Sequence, residues 1–226
     1  NKKFGIAIVV IAIVCVAFLI GLGVYFTDEI PNTGKAAKGK IAVIPIKGAI
    51  SIENGEGGLL NPSSIGSGGV VGFIEQADKD KNIKGVILNI NSPGGTVVAS
   101  KEIADAVKKV DKPVVALIRE VGASGAYWVA SSADYIVADP LSVTGSIGVL
   151  GSYLEFSELF EEYGVNYESI KTGEYKDLGN PYKPLTPKER EHLMGKLQII
   201  HDYFVNEINN NRGKDLTQYG NGLFYF

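Results

Sequence analysis

Two apolar runs, Gly85-Val86-Ile87-Leu88-Asn89-Ile90 and Pro113-Val114-Val115-Ala116-Leu117-Ile118, constrain this chain more than any other feature. Runs of this length with almost no polar alternation suit strands buried on both faces, as a parallel sheet requires. Each run leads into a glycine-containing turn and then into helical spacing. Asn91-Ser92-Pro93-Gly94-Gly95 precedes a helix from about 97 to 110, with Ile103, Ala104 and Val107 on one face. Gly122-Ala123-Ser124-Gly125-Ala126 precedes a short helix with Tyr127 and Val129. Strands alternating with helices predict an α/β domain with largely parallel pairing.

The rest of the chain can be read the same way. Residues 40–46 form a strand, 54–69 an exposed Gly/Ser/Asn-rich loop, and Val70, Val71, Ile74 and Ala77 fall at helical spacing. Further strands are expected at 135–138, 148–150 and 166–170, a helix near 156–163, and a polar loop over 171–185. Thr186-Pro187-Lys188-Glu189 reads as a capping box with proline at the first helical position. The helix it opens runs to about Asn210, with Leu193, Leu197, Ile200, Phe204 and Ile208 on its apolar side. Gly222–Phe226 is an apolar, strand-like run with nothing after it, which reads as a C-terminal truncation.

The N-terminus carries a different signal. Phe4 to Phe26 is 23 residues without a charged side chain. As a helix it would span roughly 34 Å, enough for a hydrocarbon core of about 30 Å. A cleaved secretory signal has a shorter apolar region, and Gly23-Val24-Tyr25-Phe26-Thr27 offers no small-x-small site. An uncleaved anchor over 1–26 is therefore expected. Lys2 and Lys3 before the run, with Asp28 and Glu29 after it, place the N-terminus in the cytoplasm and the remainder outside. Residues 27–38 then form a linker, and 39–226 the globular domain. An extracytoplasmic domain works without cytosolic nucleotides. The net charge of −3 gives no argument for nucleic-acid binding. The single cysteine, Cys15, excludes an intramolecular disulfide. No Cys/His/carboxylate cluster has metal-ligand spacing, so neither metal nor cofactor is expected.

Ser124 sits where a strand ends and a helix begins, so backbone N–H groups and the helix dipole would favour developing negative charge beside its hydroxyl. Gly122-Ala123-Ser124-Gly125-Ala126 nearly matches the nucleophile elbow, with Ala126 in place of the last glycine. A structural small-residue turn is the plainer reading of the pentapeptide alone. The Gly94-Gly95 turn can likewise be a tight strand-to-helix connection or an oxyanion hole built from amides. A serine nucleophile needs a base. The two histidines, His192 and His201, lie in one helix with no feature directing either to Ser124. Lys171, Lys176 and Lys183 lie in the polar loop. For any of them to act as a base, its amine must fall about 3 units from ~10.4, or ~4 kcal/mol.

Ala123-Ser124-Gly125-Ala126-Tyr127, Asn91-Ser92-Pro93-Gly94-Gly95, Thr144-Gly145-Ser146-Ile147-Gly148 and Gly173-x-x-Lys176-Asp177 occur together and in order. In this the chain resembles the signal peptide peptidase A family of membrane-anchored serine proteases, over most of residues 40–210. The resemblance implies a crotonase/Clp-protease-like fold, a repeated β-β-α superhelix preceded by one transmembrane helix. It implies Ser124 as nucleophile, Lys176 as general base, Ser146 as hydrogen-bond partner of the lysine, and oxyanion donors from Gly94, Gly95 and Gly125. It also implies a homo-oligomeric ring in which serine and lysine come from neighbouring subunits, acting on hydrophobic signal-peptide remnants. Ala126 departs from the family pattern in a way a helix start tolerates, and the chain stops short of where half-length members end. Three other readings stay open: a related protease cutting other membrane proteins, an acyl-CoA hydratase or isomerase on the same fold, and a non-catalytic membrane scaffold.

Overall fold

The computed structural model describes residues 39–56 and 63–225. The expected anchor and linker, residues 1–38, lie outside the described residues. Among those described, no helix is long and apolar enough to cross a membrane. In chain order the elements are β1 (Lys40–Lys47), β2 (Ala49–Ser51), β3 (Ser64–Gly66), α1 (Ser67–Lys79), β4 (Ile83–Ser92), α2 (Val97–Lys108), β5 (Val114–Ala123), α3 (Gly125–Ser131), β6 (Tyr135–Ala138), β7 (Val143–Gly145), α4 (Ser157–Glu162), α5 (Pro187–Arg212) and β8 (Phe224–Tyr225).

The mixed α/β class is as expected. β1, β4 and β5 pair in parallel, and β2 pairs with β3 in a separate small parallel sheet. β5 has two neighbours on the same side. Its first half pairs with β6 at Val115–Ile118, and its last three residues pair with β7. The ladder therefore continues to Ala123, five residues past the apolar run that announced the strand, and ends directly before Ser124.

One sheet face carries Ile44, Ile46, Leu88, Ile90, Ala116 and Ile118. These share a core with Val70 and Ile74 of α1, Ile103 of α2, Trp128 and Val129 of α3, and Phe204 and Ile208 of α5. The other face departs from expectation. The register aligns Val43, Ile87, Val115 and Tyr135 in one row across four strands. Val43 and Tyr135 are exposed, as are Ile41 and Val137. Among the described residues the helices cover one face only. A continuous apolar run tells that a strand has neighbours within its sheet; it does not specify a second covering layer.

Three sequence assignments need correction. The loop expected over 54–69 contains β3, whose Ser-Ile-Gly finds its ladder in β2, and the first turn of α1. Residues 148–150 are not a strand. The ladder lies earlier, in β7, where the backbone of 143–145 meets the end of β5 and, antiparallel, β8. Residues 166–170 are fully exposed and form no strand. Their alternation has no partner to pair with. The capping box is present as read, with Thr186 and Glu189 bonding each other's backbone N–H.

Candidate active site

Ser124 is the N-cap of α3, with φ 52° and ψ −125°. A non-glycine residue in such a region costs about 1–3 kcal/mol and persists only where its surroundings over-determine it. Here they do. Ser124 N donates to Gly145 O at 2.8 Å, Trp128 N donates back to Ser124 O at 3.0 Å, and Ala123 is locked opposite Gly145 in the β5–β7 ladder. Behind the serine, Ala126, Trp128, Val129 and Ala130 are buried. The turn lifts the Ser124 side chain out of the ladder at the mouth of a helix.

Gly94 presses against this turn from the neighbouring connection. Its φ is 97°, and a Cβ there would lie 2.8 Å from Ser124 Cβ and 2.7 Å from Gly125 N. Gly95 is wedged against β2, where a Cβ would stand 1.9 Å from Ile50 O. Bonds from Ile50 N to Gly94 O at 2.8 Å and from Thr96 N to Ile50 O at 2.9 Å hold the turn from outside. The three expected oxyanion donors are not equivalent. Gly94 N–H donates to Ser92 Oγ at 3.1 Å and is spent. Gly95 and Gly125 N–H have no hydrogen-bond partner among the described residues, and Gly95 N lies 3.5 Å from where a Gly125 Cβ would stand. Two free amides therefore converge beside Ser124.

A cavity of about 590 Å³ opens over this point. Its walls include Ser124, Gly125, Ser146, Trp128, Phe204 and Leu150, so it joins a polar corner to an apolar interior. Ser146 shares it with Ser124 and has the same unusual backbone, φ 51°. Its N–H donates to Leu223 O at 2.6 Å, and Gly222 N donates to Ile147 O, so the segment before β8 closes that side.

Lys176 is not among the lining residues. It is exposed, in a chain of turns between Gly173 (φ 92°) and Gly179 (φ 78°), and among the described residues no ion pair engages its amine. Its neighbours are all engaged. Lys171 pairs with Asp177; Lys183 bridges Glu189 at 2.6 Å and Asp177 at 3.7 Å; Lys188 pairs with Glu174 at 2.8 Å. The bond from Lys171 holds the Asp177 carboxyl below its usual range. Lys183, then the Thr186 N–H, hold Glu189 down to about 2. A single chain thus brings Ser124, Ser146, Gly95 and Gly125 together and leaves Lys176 apart from them.

One of the two histidines lies closer to the site than its sequence context suggested. His201 lines the same cavity as Ser124. Its Nε2–H donates to Gly220 O at 2.6 Å, while Nδ1 is buried without a hydrogen-bond partner, so neither nitrogen bonds Ser124. Leu197, His201, Phe204 and Ile208 follow helical spacing, and that phase could have put the histidine on the inner face. His192, by contrast, is exposed and stacks on Tyr175 with ring centroids 5.3 Å apart.

Comparison with known proteins bears on the family. The family model for peptidase family S49 matches residues 106–222, just over half of the 226-residue chain, and the Clp protease model matches 69–138. The chain is 33% identical over 209 residues to "Putative protease MJ0651" of Methanocaldococcus jannaschii, covering 90% of this chain and 67% of that protein. It is 32% identical over 192 residues to "Putative signal peptide peptidase SppA" of Enterococcus faecium, covering 84% and 55%. It is 37% identical over 169 residues to "Serine protease SPPA, chloroplastic" of Arabidopsis thaliana, covering 73% and 25%. The chain thus spans from two thirds to a quarter of the length of these relatives. With a Clp-protease-like α/β domain, a serine at the elbow and the family model spanning elbow, cavity and lysine loop, the chain belongs to peptidase family S49.

Proposed function

We propose that this chain is the catalytic part of a membrane-anchored serine endopeptidase that degrades hydrophobic peptides, signal-peptide remnants among them, with Ser124 as nucleophile and Lys176 of a neighbouring copy as general base. The observation that carries the reading is the backbone of Ser124, strained at φ 52° and ψ −125° beside two free amides. Strain of this kind clusters where a side chain must be presented to a substrate. The neutral Lys176 amine takes the Ser124 proton as Oγ attacks the peptide carbonyl carbon. Gly95 and Gly125 N–H hold the oxyanion. The lysine ammonium then protonates the leaving amine, and a water deprotonated by the same amine releases the acyl group. Ser146 hydrogen-bonds the lysine once the two meet. The apolar cavity walls favour extended hydrophobic substrates. The run Phe4–Phe26 would tether the domain to the outer face of the cell membrane.

The open position of Lys176 supports sharing between copies. A base must be free of carboxylate partners, which would hold its proton, and the loop pairs every other nearby lysine while leaving this one alone. The test is hydrolysis of an apolar fluorogenic peptide by the full-length protein, Ser124→Ala, Lys176→Ala and an equimolar refolded mixture. Both single variants should lose at least about 10³-fold in kcat/KM, and the mixture should recover about a quarter of wild-type activity or more. A Lys176→Ala protein with near-wild-type activity would move the base elsewhere, first to His201.

A further inference from the structure

The Lys176 loop is assembled around the carboxylate next to that lysine. Asp177 lies between two cations from opposite ends of the loop: Lys171, which enters it, and Lys183, which leaves it. Its side chain is only 10% exposed, although Lys176 beside it is open to solvent. Lys171 also donates to Glu174 O at 3.2 Å, closing the segment just before Lys176. On the far side Lys183 passes the connection to Glu189, whose side chain is 6% exposed and is fixed by Thr186 N and Oγ. Lys171, Asp177, Lys183 and Glu189 therefore form one continuous chain of charge from the loop's entry to the first turn of α5. Aromatic contacts touch this stretch at three points, Phe160 and Tyr167 on Tyr182 and Tyr175 on His192. Among the described residues, 164–174 are all exposed. The ion pairs are what tie its two arms to each other and to α5.

We infer that Asp177 is a positioning residue for the Lys176 amine, clamping both arms of the loop so that the amine is presented at one place and without a carboxylate partner. The inference rests on the proposed role of Lys176 as base. A shared dyad needs a lysine that arrives in a fixed position, since a displacement of about 1 Å can cost about 100-fold. The carboxylate nearest in sequence could instead have paired with Lys176 and kept it protonated. Two competing lysines hold it away. The lysines of these pairs stay 25–31% exposed, which limits what the pairs add to global stability, so the effect of losing them should appear chiefly in catalysis.

The test compares Asp177→Ala, Asp177→Asn and Asp177→Glu in the full-length protein. Alanine and asparagine should lower kcat about 10- to 100-fold with KM within about twofold, and glutamate should restore most of the loss. Lys171→Met and Lys183→Met, each removing one arm of the clamp, should give intermediate losses and guard against a folding defect in the aspartate variants. Mixed with Ser124→Ala, Asp177→Ala should regain activity; mixed with Lys176→Ala it should not. Near-wild-type kcat for Asp177→Ala, with Lys176→Ala inactive, would overturn the positioning role alone. An active Lys176→Ala would overturn the base assignment and this inference together.

Discussion

The two halves of the proposed dyad are built in opposite ways. Ser124 stands at the end of a ten-residue strand, over a helix whose Trp128 is 2% exposed, with hydrogen bonds to its backbone from both sides. Lys176 stands in turns, on a stretch whose large apolar side chains point outward: Ile170 is 95% exposed, Leu150 86% and Leu154 71%. The first region carries its own core. The second has apolar surface without one, and charge pairs with a few aromatic contacts in its place. A nucleophile must be held under strain, which only a packed frame can do. A base that is to work in another copy's site must protrude, and a protruding segment cannot at the same time be wrapped in its own core.

The sharpest way to break this contrast is to place the same change in both regions. Gly94 and Gly173 both have a positive φ, 97° and 92°, but a Cβ at 94 meets Ser124 whereas one at 173 meets nothing within 4 Å. Gly94→Ala should abolish activity, by about 10³-fold or more in kcat/KM, because it displaces the serine and the amide beside it. Gly173→Ala carries only the backbone penalty of roughly 1–2 kcal/mol and should keep most of the activity. Equal losses would mean that the lysine loop is as tightly determined as the elbow.

Truncating large side chains gives the next effect in size. Trp128→Ala empties the core against Phe204, whose ring stacks on it at 4.8 Å, and should lower unfolding free energy by about 3–5 kcal/mol. Ile170→Ala should stay within about 0.5 kcal/mol in the dissociated chain. If Ile170→Ala nevertheless weakens self-association in sedimentation velocity, the outward apolar stretch is a contact between copies.

Acid should separate the regions more gently. Glu189 and Asp177 have carboxyl pKa values below their ordinary range, Glu189 at about 2. A lowered folded-state value means the stabilisation is complete above the unfolded value near 4 and is lost as pH falls toward about 2. Residues 91–100 and 122–131 contain no carboxylate. Amide exchange corrected for intrinsic rates should therefore accelerate in 171–189 between pH 4.5 and 2.5 while 122–131 stays protected. Uniform loss of protection would indicate one cooperative unit.

The same contrast explains what could be read from sequence. β1, β4, β5, β6 and the capped start of α5 were legible because apolar periodicity and the Thr186–Glu189 motif are local signals. Three-residue β3 and β7 were not, since Ser-Ile-Gly and Val-Thr-Gly become strands only through the partner beside them. The serine elbow was legible as a small-residue turn, but its sign of φ and the capture of Gly94 N–H by Ser92 depend on the β5–β7 register and the packed turn. The cavity position of His201 was not legible, because nothing local to it points toward Ser124; only the helical phase it shares with Phe204 does. Residues 166–170 show the converse: strand-like alternation, and no ladder to join.

The backbone of Ser124 has a consequence for how this site can change over generations. Alanine there would remove the hydroxyl and keep the unfavourable dihedral angles, whereas glycine would remove both. The position thus works against the fold's own stability, and drift toward glycine meets no resistance from folding. Only continued demand for the chemistry keeps a serine in that turn.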